Sequence, residues 1–360
     1  MKALRIYAGA KALKALRERG GLSPEQVRVI PAAAGGPKGL MLLRMDQFLF
    51  GDWLKDSSAP LHVVGASIGA WRMATACLRD PVPAIQRLEH DYIHQHFEPP
   101  PGQRKPSARQ VSEAFAQSLQ LFYEGRVSEV LSHPNRHLHV VVSRGLGLLD
   151  AHQPFRTALG FAGAFVANAV ERPYLGRWLE RGILSGHASP ALPKREDGFP
   201  SRHWPLSEAN FMAAVRASCS IPFAMEPVIN VPQLPPGTYW DGGLTDYHLH
   251  WGYELAPEEV VLYPHFQRAV IPGWLDKSWK KRHAATPALD QTMVLAPDPD
   301  WVAALPGGKL PDRHDFVTYA DDFAGRVAAW STAVSRSQQL ADEWQAWLAQ
   351  PDIDQVEALS

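Results

Sequence analysis

A serine between glycines is the sharpest chemical signal in the sequence. Residues 65–69 read Gly-Ala-Ser-Ile-Gly and lie between the apolar run Leu61–Val64 and a stretch with helical spacing. A serine on a tight strand-to-helix turn is exposed at the carboxyl end of a sheet, beside a helix N-terminus that favours negative charge. This setting predicts that Ser67 is a nucleophile and that Gly65 and Gly69 give it room. The alternative is a glycine-rich turn whose serine only caps the helix.

A second glycine-rich segment, residues 33–39, reads Ala-Ala-Gly-Gly-Pro-Lys-Gly and also follows an apolar run. Consecutive glycines let backbone N–H groups point at one place, as the oxyanion of an acyl transfer requires. Pro37 has no N–H and suits the first turn of a helix, so Gly35 and Gly36 are the expected donors. Lys38 is expected to anchor the loop or to add positive potential. The pattern matches neither common phosphate-binding motif, and a plain turn is the alternative.

The third segment, residues 239–243, reads Tyr-Trp-Asp-Gly-Gly. Asp241 precedes Gly242 and Gly243, so its carboxylate is expected on a tight turn with little to block a neighbouring side chain. Taken alone, this pattern is more typical of a turn than of a catalytic group. It follows residues 214–223, where a helical pattern ends in small residues and a proline.

Together the three segments resemble the patatin-like phospholipase family. That family has a glycine-rich oxyanion loop ending in a basic residue and glycine, then G-x-S-x-G, then D-G-[GA]. The matching residues, in the same order, are Gly35, Gly36, Lys38 and Gly39; Gly65, Ser67 and Gly69; and Asp241, Gly242 and Gly243. The resemblance covers about residues 27–243. It departs from the family at Ala33, where an aspartate is common, and at Ala34, where the loop usually has its first glycine.

The resemblance implies an α/β fold, a three-layer α/β/α sandwich around a central, mostly parallel sheet. It also implies a lipid acyl hydrolase of the phospholipase A, lysophospholipase or esterase type, with a lipid or acyl-ester substrate. In the implied mechanism, Ser67 attacks the ester carbonyl, Asp241 accepts the proton, and the loop N–H groups stabilise the oxyanion. Water then releases the acid, and no metal or cofactor is required.

Three other functions remain open. An α/β-hydrolase with a Ser-Asp-His triad also uses G-x-S-x-G, and His248, His250 and His265 follow the aspartate. However, the serine comes after only two predicted strands, whereas that fold normally builds more sheet first. An acyltransferase would form the same acyl-enzyme and pass the acyl group to an alcohol or thiol. A non-catalytic lipid- or protein-binding module could also keep this fold.

Short apolar runs alternate with helical patterns, which predicts a parallel sheet covered on both faces. The predicted strands are Val27–Ala32, Leu61–Val64, Leu138–Val142, Glu259–Tyr263 and Gln291–Leu295, and the predicted helices include Leu40–Phe50, a helix after Ser67 to about Leu78, and Asp321–Leu348. We expect a single domain over residues 1–360, with a motif core at 27–243 and C-terminal strands and a long helix at 244–360.

Composition excludes several partners. The 36 basic residues nearly balance the 37 acidic ones, so no global field favours nucleic acid. Cys77 and Cys219 are interpreted as buried thiols in a reducing compartment. The apolar run Ala158–Val170 is shorter than the ~20 residues that span a bilayer, and Lys11 and Lys14 interrupt any signal peptide. We therefore expect a cytoplasmic protein.

Residues 271–283 are a candidate for a peripheral membrane contact. The apolar residues Ile271, Trp274, Leu275 and Trp279 follow helical spacing, with Lys277, Lys280, Lys281 and Arg282 close by. An apolar stripe with tryptophans and a basic rim is typical of a helix lying in a lipid interface. The alternative is a surface helix whose stripe packs on the domain.

Overall fold

The computed structural model describes residues 1–98, 106–150, 153–186 and 189–359. Eleven strands within these residues form one sheet. They are β1 (Leu4–Ala8), β2 (Val27–Ala32), β3 (Leu61–Ala66), β4 (Arg136–Gly145), β5 (Leu179–Gly186), β6 (Ser201–Leu206), β7 (Val228–Ile229), β8 (Thr238–Asp241), β9 (Val260–Pro264), β10 (Thr292–Pro297) and β11 (Val356–Ala358). Each predicted strand is present, with bounds that differ by a few residues at most ends.

The described helices surround this sheet. They are α1 (Ala10–Arg19), α2 (Leu43–Phe48), α3 (Ile68–Ala76), α4 (Pro81–Ile93), α5 (Ala108–Tyr123), α6 (Val127–Leu131), α7 (Pro154–Val170), α8 (Phe211–Ser218), α9 (Pro299–Ala303), α10 (Asp315–Thr318), α11 (Phe323–Arg336) and α12 (Gln338–Ala349). Among them, none combines the length and apolar character needed to cross a membrane.

The sheet has the strand order β11-β1-β10-β9-β2-β3-β4-β5-β6, and β8 pairs with both β4 and β7. The five central strands, β10 to β4 in this order, run parallel. At the flanks β1 is antiparallel to β10, and β5 is antiparallel to β4. The carboxyl ends of β2 and β3 therefore meet at one edge of the sheet, which brings the first two motifs together.

The two faces of the sheet are covered by different elements. In β3, Leu61 and Val63 belong to the largest apolar cluster, which also contains side chains of α1–α5, α8, α11 and α12. The alternate residues Val64 and Ala66 belong to a second cluster, formed with residues of the 247–253 segment. On the same side, α7 packs over Trp240 of β8. The architecture is thus an α/β sandwich with a mostly parallel central sheet, as the sequence predicts.

The predicted helix Asp321–Leu348 is two helices, α11 and α12, which meet at Ser337. The Ser337 hydroxyl is buried and donates to the carbonyl oxygen of Val334 at 2.7 Å. Its backbone N–H donates to the carbonyls of both Ala333 and Val334. A serine side chain that bonds the preceding turn competes with the regular helical ladder, and α11 ends there.

The predicted helix Leu40–Phe50 is also composite. A 3₁₀ segment, Gly36–Leu42, leads into α2, and a single π turn, Leu49–Trp53, follows it. The hydrogen bonds of 3₁₀ and π turns span three and five residues instead of four, so a period of 3.6 fits this stretch only in part.

The prediction of an amphipathic α-helix at 271–283 is wrong, because the segment forms two short 3₁₀ turns, Trp274–Asp276 and Lys280–His283. The turns fold around the buried carboxylate of Asp276. This group accepts hydrogen bonds from Asn168 at 2.9 Å, from Arg172 at 2.9 Å and from Arg282 at 2.8 Å. A buried carboxylate with three donors determines the local path of the chain more strongly than helical spacing does.

Candidate active site

Ser67 occupies a sharp turn between β3 and α3. Its backbone has φ 57° and ψ −130°, a conformation that costs a non-glycine residue about 1–3 kcal/mol. Both flanking positions must be glycine, because a side chain at either one would clash with the backbone. A Cβ on Gly65 would lie 2.3 Å from the carbonyl carbon of Gly69, and one on Gly69 would lie 2.0 Å from the carbonyl oxygen of Ala32. The Ser67 N–H donates to the hydroxyl of Ser218 at 2.9 Å, which holds the turn in place.

Asp241 lies at the end of β8, which pairs antiparallel with β4. Its Oδ2 accepts a hydrogen bond from Ser67 Oγ at 2.7 Å, and its Oδ1 accepts one from the N–H of Gly243 at 2.7 Å. A Cβ on Gly242 would lie 2.1 Å from the carbonyl oxygen of Val141. The two glycines thus let the turn pack against β4 and direct the carboxylate toward the serine.

The contact between these side chains is almost removed from solvent, since Ser67 is 3% exposed and Asp241 is 5% exposed. Burial raises the pKa of the Asp241 carboxyl above its ordinary value. The positive charge of Arg313 and the hydrogen bonds from Ser67 and Gly243 oppose this shift. A raised pKa makes the carboxylate a stronger base toward a hydroxyl than a solvated aspartate is.

The glycine-rich loop lies beside the Asp241 turn, because a Cβ on Gly243 would come within 2.6 Å of the Cβ of Ala34. The N–H of Ala34 donates to the carbonyl of Tyr247 at 2.9 Å. In contrast, the N–H groups of Gly35 and Gly36 donate to no acceptor within the described part of the chain. Gly36 has φ 57°, which a glycine adopts without strain.

Lys38 and Gly39 occupy the 3₁₀ segment that follows. The ammonium of Lys38 lies 5.3 Å from the centroid of the Phe266 ring, and burial lowers its pKa. A Cβ on Gly39 would lie 3.0 Å from a side-chain carbon of Ile68. Gly39 therefore allows the loop to pack closely on the helix that follows the serine.

A narrow pocket of about 10 Å³, room for about one water molecule, opens onto Asp241. Its lining is largely apolar and comprises Ala34, Ile221, Pro222, Asp241, Gly243, Leu244, Tyr247, Trp274 and Arg313. Trp274 and Arg313 come from the C-terminal part of the chain, outside the three predicted site segments. Arg313 carried no sequence signal, because it is a single arginine in an irregular segment.

Two cations lie close to the carboxylate. Arg313 is half-buried, and its guanidinium makes no hydrogen bond or ion pair with any residue that the structure describes. The ammonium of Lys277 lies 4.0 Å from the centroid of the Tyr247 ring. Burial, with the positive charges of Arg313 and Lys38, lowers the pKa of Lys277 to about 7. The site therefore holds more positive than negative charge.

The three histidines of the triad alternative bond elsewhere. His248 Nδ1 lies 3.2 Å from the carbonyl oxygen of Ala269 and His265 Nδ1 lies near that of Gln267. His250 lies between a backbone carbonyl and the hydroxyl of Thr286. Burial lowers the pKa of all three imidazoles, which keeps them neutral. Among the described residues, no imidazole forms a hydrogen bond with the serine or the aspartate.

Comparison with known proteins gave one family match and similar solved structures. The model of the family described as patatin-like phospholipase matches residues 33–248. Among solved structures, the crystal structure of VipD from Legionella pneumophila is similar with a TM-score of 0.40 and 14% sequence identity, over 95% of this chain and 70% of that chain. No curated protein sequence matches the chain. Because the family match spans more than half of its length, the chain belongs to the patatin-like phospholipase family.

Proposed function

We propose that this protein hydrolyses the carboxylic esters of lipids through an acyl-enzyme on Ser67. The observation that carries the proposal is the 2.7 Å hydrogen bond from Ser67 Oγ to Asp241 Oδ2, in a site almost closed to water. A nucleophile in direct contact with a buried base is the arrangement that covalent acyl transfer needs. The walls of the narrow pocket beside Asp241 are mostly apolar, among them Leu244 and Trp274, which favours contact with a lipid over contact with water.

In the proposed reaction, Ser67 Oγ attacks the ester carbonyl carbon as its proton moves to Asp241 Oδ2. The unbonded N–H groups of Gly35 and Gly36 stabilise the oxyanion of the tetrahedral intermediate. The intermediate collapses, the C–O bond to the alcohol breaks, and the Asp241 proton passes to the departing oxygen. A water molecule then attacks the acyl-enzyme, gives its proton to Asp241, and the acid leaves as Ser67 is reprotonated.

A fluorophosphonate probe tests the nucleophile, because it labels only a serine activated in this way. We expect the wild-type protein to be labelled at one site and Ser67→Ala to lose both labelling and esterase activity. Ser220→Ala is a matched control, since the Ser220 hydroxyl lies nearby but bonds the carbonyl of Arg216. Labelling of Ser67→Ala at a rate comparable to wild type would overturn the assignment.

The products distinguish hydrolysis from acyl transfer. Free acid is expected from phospholipid, lysophospholipid and monoacylglycerol substrates, and an added alcohol should not change its yield. An acyltransferase would instead convert that alcohol into a new ester and lower the yield of free acid.

A further inference from the structure

The outward face of α7 is apolar along its whole length. Five of its side chains, between 44% and 75% exposed, are Phe155, Leu159, Phe165, Val166 and Val170. The inward face packs against the sheet through residues such as Phe161 and Ala164. Arg156 is the one charged residue among residues 154–170. A surface helix normally presents polar side chains outward, so a face of this composition indicates an interaction surface.

Phe223 extends this face toward the candidate active site. It is 67% exposed, and its ring centroid lies 5.7 Å from that of Phe161. Its backbone has φ 66°, a strained conformation for an aromatic residue. The two residues before it, Ile221 and Pro222, line the pocket that opens onto the catalytic aspartate. We call the outward face of α7 together with Phe223 the apolar surface.

Basic side chains border the apolar surface at the C-terminal end of α7. Arg282 donates to the carbonyl oxygen of Asn168 in α7 at 2.7 Å and to Asp276 at 2.8 Å, which fixes the Lys280–His283 turn beside the helix. The neighbouring residues Lys280 and Lys281 are exposed. Exposed lysines next to an apolar face complement a layer of anionic head groups.

We propose that the apolar surface binds an anionic phospholipid membrane and places the pocket at the lipid layer. The proposal rests on the proposed function, because a lipid esterase must draw its substrate from such a layer. A helix of 17 residues with a continuous apolar face can lie in the interface without spanning it. A second copy of the chain is the alternative occupant of the apolar surface, and the oligomeric state tests it.

Vesicle sedimentation tests the proposal. The full chain carries Ser67→Ala, so that vesicles are not consumed, and is mixed with vesicles of phosphatidylcholine with or without phosphatidylglycerol. A triple variant, in which Phe155, Val166 and Val170 are changed to Gln, should bind the vesicles more than about tenfold more weakly. Lys280→Gln with Lys281→Gln should weaken binding to the anionic vesicles and remove its salt dependence. Leu121→Gln, an equally polar change at an exposed leucine of α5, should bind as the parent protein does.

Two results would overturn the proposal. One is vesicle binding by the triple variant equal to that of the parent protein. The other is a wild-type dimer, in sedimentation velocity, that the triple variant converts to monomers while neither binds vesicles. Hydrolysis of a soluble short-chain ester separates this proposal from the proposed function. The triple variant with Ser67 restored should hydrolyse that ester at the wild-type rate. If the wild-type protein does not hydrolyse the ester at all, the enzymatic proposal alone is contradicted.

Discussion

Asp241→Asn tests the proposed base with little change in shape. The carboxylate accepts from Gly243 N–H and from Ser67 Oγ, each at 2.7 Å. An asparagine can keep the first bond through its carbonyl oxygen, and its NH₂ can donate to the serine oxygen. However, the amide cannot accept a proton. Attack by Ser67 would then require a proton to leave for water in a site that water hardly enters.

The expected loss is large and falls on the chemical step. General base catalysis contributes about 10²- to 10⁴-fold, equivalent to about 3–5 kcal/mol of activation free energy. Since in the proposed reaction Asp241 also returns the proton to the leaving oxygen, we expect kcat to fall toward the upper end of this range. The KM for a soluble ester should change little, because the variant retains the pocket walls.

The stability of this variant should not fall. Burial raises the pKa of Asp241 above its ordinary value of 3.8. Between pH 3.8 and the higher folded pKa, the carboxyl is ionised in the unfolded chain but still protonated in the folded chain. Its ionisation therefore favours unfolding, and this loss of stability grows as the pH rises through the range. Asparagine removes this penalty. At neutral pH we expect Asp241→Asn to have a Tm equal to or above that of wild type.

The assay combines steady-state kinetics on a soluble ester with thermal unfolding at several pH values. His250→Gln is the control for a histidine base, because His250 bonds Thr286 and a backbone carbonyl rather than the serine. It should retain most of the turnover. A wild-type rate in Asp241→Asn, or its loss in His250→Gln with an unchanged Tm, would refute the reasoning.

Three further predictions follow from particular contacts. Gly69→Ala should lower Tm strongly and abolish activity, because the new Cβ would lie 2.0 Å from a carbonyl oxygen of β2. Arg313→Gln should move the acid limb of the kcat/KM pH profile to higher pH, since the Arg313 charge lowers the pKa of Asp241. Asp46→Asn should destabilise the fold by about 3–5 kcal/mol in denaturant unfolding, because it leaves the guanidinium of Arg72 buried without its two 2.8 Å bonds to a carboxylate.

Much of the fold could be predicted from local patterns. The strands at 27–32 and 61–66 are short apolar runs next to glycine-rich turns, and both are present in the central sheet. The 201–206 strand could not be predicted in this way, because it begins with three polar residues, contains Pro205, and depends for its place on pairing with β5. Helical spacing was misleading at 271–283, where a buried carboxylate directs the chain instead.

For the candidate site, the sequence by itself determined which residues could do chemistry. Their types and order indicated a serine nucleophile, a carboxylate and a glycine loop, because backbone strain and close packing at such turns demand glycine. Only the tertiary structure decided what lies around them. The Ser67–Asp241 contact joins residues 174 positions apart, and Trp274 and Arg313 reach the site through packing. Such contacts depend on the folded arrangement of the whole sheet, which no local spacing encodes.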